Sequence, residues 1–406
     1  METTEAFAGV RCLACDGQFD GTAASHRCPD CGGALKPTYD DLASAHATLF
    51  DGPLAGGADS AGSDPAAPTG LERFAPVLPI ARDRLVTTGE GATPLVKCPT
   101  LAEAFGAGTV LLKDEGRNGT GGIADRGMAL SVSAAREHGA TDVALPTTGN
   151  GGQAAAAYAG RAGMDSHSFV PSRSTFANKA LINVHGGDMN VVGGRYPDAS
   201  SAFAGAIEGE SWHSLAPFEE PYRHEGIKTL SYELVGALGN APDAVVVPVA
   251  HGLSLVGIDR GFRELEATGQ IEERPRLYAA QPDGCAPVVT AWESDSEGID
   301  PVEHPDTICG SLEIADPTGG GYALDALAET GGGAVATPDD AILDAAVDLA
   351  GDGVPTSATA GAAVSGARAL ADAGGFASEE TVVLVDPATA NREADILRSH
   401  LMKQGI

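Results

Sequence analysis

A chain of 406 residues is long enough for two or three domains and a sizeable core. Its 56 acidic against 25 basic residues leave a formal net charge of −31, spread along the whole chain; this excludes the basic footprint nucleic acids need and reads as adaptation to a salt-rich cytosol that screens self-repulsion. No apolar run reaches membrane-spanning length and METTEAFAGVRC lacks a basic-then-apolar leader, so a cytoplasmic protein with no membrane partner is expected.

Two knuckles, Cys12-Leu-Ala-Cys15 and Cys28-Pro-Asp-Cys31, open the chain. Each brings two thiolates to one side of a tight turn, and together they make a tetrahedral four-sulfur site. So short a segment cannot fold on apolar burial alone, so residues 1–36 are read as a ribbon closed by structural zinc. Residues 37–75, rich in Gly, Ala, Pro and Asp, read as a linker.

Beyond it, short β-branched runs alternate with amphipathic ones. Strands are predicted over 109–114, 142–146, 167–171, 188–192, 244–249, 276–280 and 381–385. Helices are predicted over 126–138, 152–163, 176–184, 223–238, 254–268, 339–350, 360–373 and 391–403. The alternation predicts an α/β fold of parallel sheets flanked by helices, in two parts. These are an N-terminal region over 76–210 that includes a smaller subdomain, and a larger subdomain over 211–406. Ligands of such folds lie beyond the carboxyl ends of the strands, which directs attention to the loops there. One, Thr147-Thr-Gly-Asn-Gly-Gly152, is a nest of backbone N–H groups in which Thr148 and Asn150 are candidate ligand contacts; a plain helix cap explains it equally well.

The loops GEGATPL, LLKDEGRNGTGGIADRGM, PTTGNGGQAAAAYAGRAG, PYRHEGIKTLSYELVGALGN and AAQPDGCAP occur in an order and spacing that resemble threonine synthase. That family implies the two-subdomain architecture of fold-type II pyridoxal-phosphate (PLP) enzymes, often preceded by such a ribbon, and a homodimer. It also implies a lysine that forms an imine with PLP, a glycine-rich phosphate loop, a hydroxyl at the pyridine nitrogen and an asparagine at the ring's phenolic oxygen.

This sequence departs from the family at four places. Where the family reads about N-P-T-G-S-F-K-D-R-G, residues 118–127 read NGTGGIADRG, so Ala124 stands at the lysine position. The phosphate loop has become Ala250-His-Gly-Leu-Ser254, in which Gly252 alone persists and His251 and Ser254 are candidate contacts. Asp386 replaces the pyridine's hydroxyl partner, and Pro387 follows it. The stretch E-P-A-S-A-A has become Ser357-Ala-Thr-Ala-Gly-Ala362. Asn150 is retained. The expectation is therefore a degenerate homologue without covalently bound PLP, with a ligand-binding, regulatory or partner role. Its ligand would be a small molecule, amino-acid-like or phosphate-bearing, and its partner a second copy or an active homologue. The alternative is a PLP-dependent lyase acting on O-phosphohomoserine through a relocated lysine. Asp125 and Arg126 open the helix after Ala124; Arg126 is either a clamp for an acidic ligand or a structural ion pair.

Overall fold

The computed structural model describes residues 1–21, 26–50, 68–296, 298–351, 353–354 and 356–405. A six-stranded sheet forms the centre of the larger body. Its order is Gly333–Thr337, Arg276–Pro282, Ala244–Pro248, Thr381–Asp386, Thr109–Asp114 and Leu95–Lys97, parallel except for the last strand. Period-two alternation explains why its middle strands are apolar throughout. Val245, Val247, Val383, Val385 and Leu111 face one layer with helices Thr229–Leu238 and Leu253–Ala267. Val246, Val382, Leu384, Val110 and Leu112 face the other, against helices Pro99–Phe105, Asp339–Gly351 and Ala358–Asp372. Burying each such side chain stabilises the fold by about 1.5–3 kcal/mol.

The smaller sheet has four parallel strands in the order Asp188–Val192, Asp165–Pro171, Asp142–Pro146 and His213–Ser214. Helices Ala124–Glu137 and Asn150–Ala162 pack on it through Met128, Val132, Ala155 and Tyr158. The two bodies interleave in sequence: Thr109–Asp114 belongs to the larger sheet and His213–Ser214 to the smaller, so no single cut near residue 210 separates them.

Helix Ala124–Glu137 also crosses helix Tyr222–Ile227 at unusually close range. A Cβ on Gly226 would lie 2.1 Å from the Arg126 carbonyl oxygen, and one on Gly127 would lie 2.8 Å from that of Arg223. Only glycine permits this approach.

The ribbon is a three-stranded antiparallel sheet, Gln18–Phe19, Phe7–Cys12 and Leu35–Tyr39, so it runs past residue 36. Residues 37–75 are not simply a linker. They hold the end of that strand, helix Leu42–Phe50 and the 3-10 turn Gly70–Val77, whose Leu71 and Phe74 are buried in the main core. Residues 51–67 of the stretch lie outside the described residues. Alanine and glycine dominate the intervening text and mask these few apolar anchors.

Candidate functional site

A cavity of about 270 Å³ lies beyond the carboxyl end of the smaller sheet, where Pro171 closes its strand, and is lined by both bodies. The smaller body contributes Thr148, Asn178, Arg195 and Tyr196, the larger Ser311, Glu313 and Glu393. Arg195 Nη1 reaches across to Glu313 Oε1 at 2.5 Å. No lysine lines this cavity.

The turn before Ala124 is built by its own polar side chains. Asn118 Nδ2 donates to the carbonyls of Glu115 (3.1 Å) and Gly122 (3.2 Å), and its Oδ1 accepts from Gly91 N–H at 2.8 Å. Asp125 accepts from Thr120 N–H at 2.7 Å and from the Thr120 hydroxyl. Ala124 follows as the first, half-buried residue of its helix.

Burial raises the Asp125 carboxyl to about 6, against the two Thr120 donors that favour its charged form. An acid whose folded value lies above its unfolded one favours the folded state at low pH, and that contribution is lost as pH rises from about 4 to 6. Asp125→Asn is expected to remove a slope worth about 3 kcal/mol across that window. Unfolding midpoints in urea, measured from pH 4 to 7 in molar KCl for both proteins, check this.

Arg126 does not open into the cleft. It is fully buried, with Nε and Nη2 on Glu115 at 2.7 and 2.8 Å, and Nη1 and Nη2 on Glu233 at 2.7 and 2.8 Å. The hydroxyls of Thr229 (3.0 Å) and Thr93 (3.2 Å) accept from it as well, which leaves no donor for a ligand.

The other candidates gather at the strand ends. In the TTGNGG turn, Thr147 Oγ1 accepts from the N–H groups of Gly149 (3.0 Å) and Gly152 (3.1 Å), while Asn150 Oδ1 is buried without a partner. His251 sets its ring edge on Tyr196 at 4.7 Å; burial and then the Arg223 charge lower it to about 3, and its Nε2 has no partner. Gly252 has φ +92°, and a Cβ there would meet the Gly319 carbonyl oxygen at 2.9 Å, which explains why this glycine alone persists in its loop. Ser254 is half-buried in the first turn of the following helix.

Asp386 ends the strand beside Asp114, accepts weakly from Ser357 Oγ (3.2 Å) and Ala388 N–H (3.3 Å), and leaves Oδ2 unpaired. Burial, and then the Asp114 charge, hold its carboxyl well above the usual range.

Several site residues gave no signal in the sequence. Arg223 lies in helix Tyr222–Ile227; its Nη1 donates to Leu215 O at 2.7 Å, and its Nη2 would stand 3.5 Å from a Cβ on Gly151, against the nest. Asn178, Arg195 and Glu313 come from segments without a motif. A motif search reads neighbours along the chain, and these residues meet only across the cleft.

At the other end of the chain, the Sγ atoms of Cys12, Cys15, Cys28 and Cys31 all lie within 4.8 Å of one another. The Cys12–Cys31 and Cys15–Cys28 separations are 3.5 and 3.7 Å. A tetrahedron of Zn–S bonds about 2.3 Å long has edges near these values. The four thiolates fit a closed zinc site, where the metal would hold the fold together and do no chemistry.

The description "Pyridoxal-phosphate dependent enzyme" belongs to a family model that matches residues 86–387. Threonine synthase of Methanosarcina acetivorans is 32% identical over 379 residues, 93% of this chain and 90% of that protein. Threonine synthase of Methanocaldococcus jannaschii is 30% identical over 389 residues, 95% of this chain and 93% of that one. The processed form of threonine deaminase isoform 2 from Solanum lycopersicum shares the fold, with a TM-score of 0.66 at 20% identity over 77% of this chain and 83% of that chain. Two largely parallel sheets flanked by helices, and a match that spans nearly the whole sequence, lead to one conclusion: the chain belongs to the pyridoxal-phosphate-dependent enzyme family, with threonine synthases among its relatives.

Proposed function

We propose that this chain is a threonine synthase-like protein that no longer holds PLP through a lysine. It would serve as a ligand-binding, regulatory or partner subunit, pairing with a second copy or with an active homologue. The observation that carries this reading is where its six lysines lie. Lys113 is buried on Glu233 (2.6 Å), and Lys228 is buried on Glu225 (2.5 Å) and Glu264 (2.9 Å). Lys179 donates to Ser172 O at 2.8 Å. Lys36 stands on the ribbon, Lys97 beside Leu111 on the edge strand, and Lys403 in the last helix. With the Ala124 methyl in the lysine's place, the cleft wall offers PLP no amine, and the residues present do not fit a covalently held cofactor.

Similarity to threonine synthases over nearly the whole chain favours a second reading, a lyase acting on O-phosphohomoserine. It requires a relocated lysine, and Lys179, one residue from the cavity-lining Asn178, is the nearest in sequence to the cleft. Incubation with PLP in molar KCl, then borohydride and peptide mapping, separates the two. We expect no visible absorbance and no modified lysine; a lysine fixed to the cofactor would exclude the first reading.

A further inference from the structure

Residues 387–392 fold back over the turn that precedes Ala124. Ile123 N–H donates to Pro387 O and Thr389 N–H to Gly121 O, both at 2.9 Å. This brings Arg392, only 4% exposed, across two glycines. A Cβ on Gly121 would stand 3.6 Å from its Nη2, and one on Gly122 would stand 3.3 Å from its Nη1. Nη2 donates to the Thr120 carbonyl oxygen, whereas Nε and Nη1 are buried with no hydrogen-bond partner.

A second side chain meets it there. Gln153, also 4% exposed, donates from Nε2 to the same Thr120 oxygen at 3.2 Å, and its Oε1 is unpaired. His185 Nε2 stands 3.4 Å from that amide. The nearby acids are already engaged. Asp125 holds Thr120 with both oxygens, and Glu393 accepts from Thr359 N–H (2.8 Å), Thr359 Oγ1 (2.8 Å) and Ser311 Oγ (3.2 Å). A buried guanidinium with unused donors is unfavourable until an acceptor fills them, and an oxyanion supplies several acceptors at once.

We propose that Arg392, beside the Gln153 amide, holds the acidic group of a small ligand, a carboxylate or a phosphate monoester, at the Thr120–Gly122 turn that precedes Ala124. This rests on the reading of the cleft as a non-covalent ligand site and names the class of that ligand as a small organic anion. The position is independent of the Gly252 loop, where the family resemblance puts the cofactor's phosphate.

The test titrates the full chain with inorganic phosphate and, separately, with succinate, at constant ionic strength in molar KCl, following the unfolding temperature. A saturable rise with phosphate alone indicates a phosphate-bearing ligand, and one with succinate alone or with both indicates a carboxylate handle. Arg392→Ala should weaken the effective anion roughly tenfold to a hundredfold, and Arg392→Lys less. Arg368→Ala, a surface residue paired with Asp348 at 3.1 Å, should titrate like the parent. No saturable shift with either anion overturns the proposal, as does an Arg392→Ala protein that titrates like the parent. If that variant fails to fold, Arg392→Lys and Gln153→Ala take its place, and parental titration by both overturns it equally. Borohydride trapping on the same samples keeps the two conclusions apart: a modified lysine removes the non-covalent reading whatever the anion does.

Discussion

Arg126→Ala is expected to destabilise the fold by about 4 kcal/mol or more, the usual cost of breaking a buried ion pair from one side. The guanidinium is the shared centre of two buried carboxylates, Glu115 and Glu233. Its charge, after burial has opposed it, holds the Glu115 and Glu233 carboxyls below their ordinary values. Alanine would leave Glu115 with only Thr93 and Asn118, and Glu233 with Lys113 and the Ala92 N–H. Because both carboxyl values are depressed, the stability they contribute is present at neutral pH and lost on acidification below about pH 4.5. Arg126→Lys should recover little, since an ammonium cannot span two carboxylates with planar paired donors. Denaturant midpoints for the parent and both variants at pH 7 and pH 4 measure this. A loss below about 1 kcal/mol in Arg126→Ala would mean that the network is solvated and unimportant.

Removing the metal from the four cysteines should unfold the ribbon while leaving the larger body folded. Structural zinc sites contribute about 10–16 kcal/mol of binding free energy at neutral pH, more than so small a sheet retains without the metal. The ribbon's own apolar cluster is slight, made of Val10, Leu35, Cys12 and Cys28 with Phe7 and Phe19 against them. Its attachment to the body is mainly polar. The Tyr39 hydroxyl meets Glu225, Lys228 Nζ sits 4.2 Å over the Tyr39 ring, and Arg260 reaches Pro37 O. Chelation should therefore release about one equivalent of zinc and open residues 1–39 to protease, with the main unfolding transition kept but lowered. Cys28→Ser should behave likewise without chelator. A ribbon that stays protease-resistant with no metal bound would show that packing alone holds it.

Much of this protein is legible in its local text. The apolar runs of AVVVP and TVVLV predict buried parallel strands because a strand covered on both faces has no polar side. Helix 176–184 is observed within the predicted bounds, with Thr175 accepting from Asn178 N–H as its cap. The helix predicted over 223–238 is two helices, Tyr222–Ile227 and Thr229–Leu238, with Lys228 between them. Strand Gly333–Thr337 (GAVAT) was missed because small residues give a weak period-two signal. Helices Tyr196–Ile207 and Gly320–Glu329, rich in alanine, glycine and serine, were missed for the same reason.

The sequence alone determined the four-thiolate ribbon, the α/β order and the alanine at residue 124, because each lies in a short window whose chemistry does not depend on distant residues. The role of Arg126 was decided by tertiary structure, since Glu233 lies 107 positions away and reaches it only through the crossing at Gly127 and Gly226. The same holds for Arg392, 272 positions from the Thr120 carbonyl it meets. Whether a charged side chain binds a ligand or serves the fold depends on which partners use up its hydrogen bonds, and only the folded chain selects those partners.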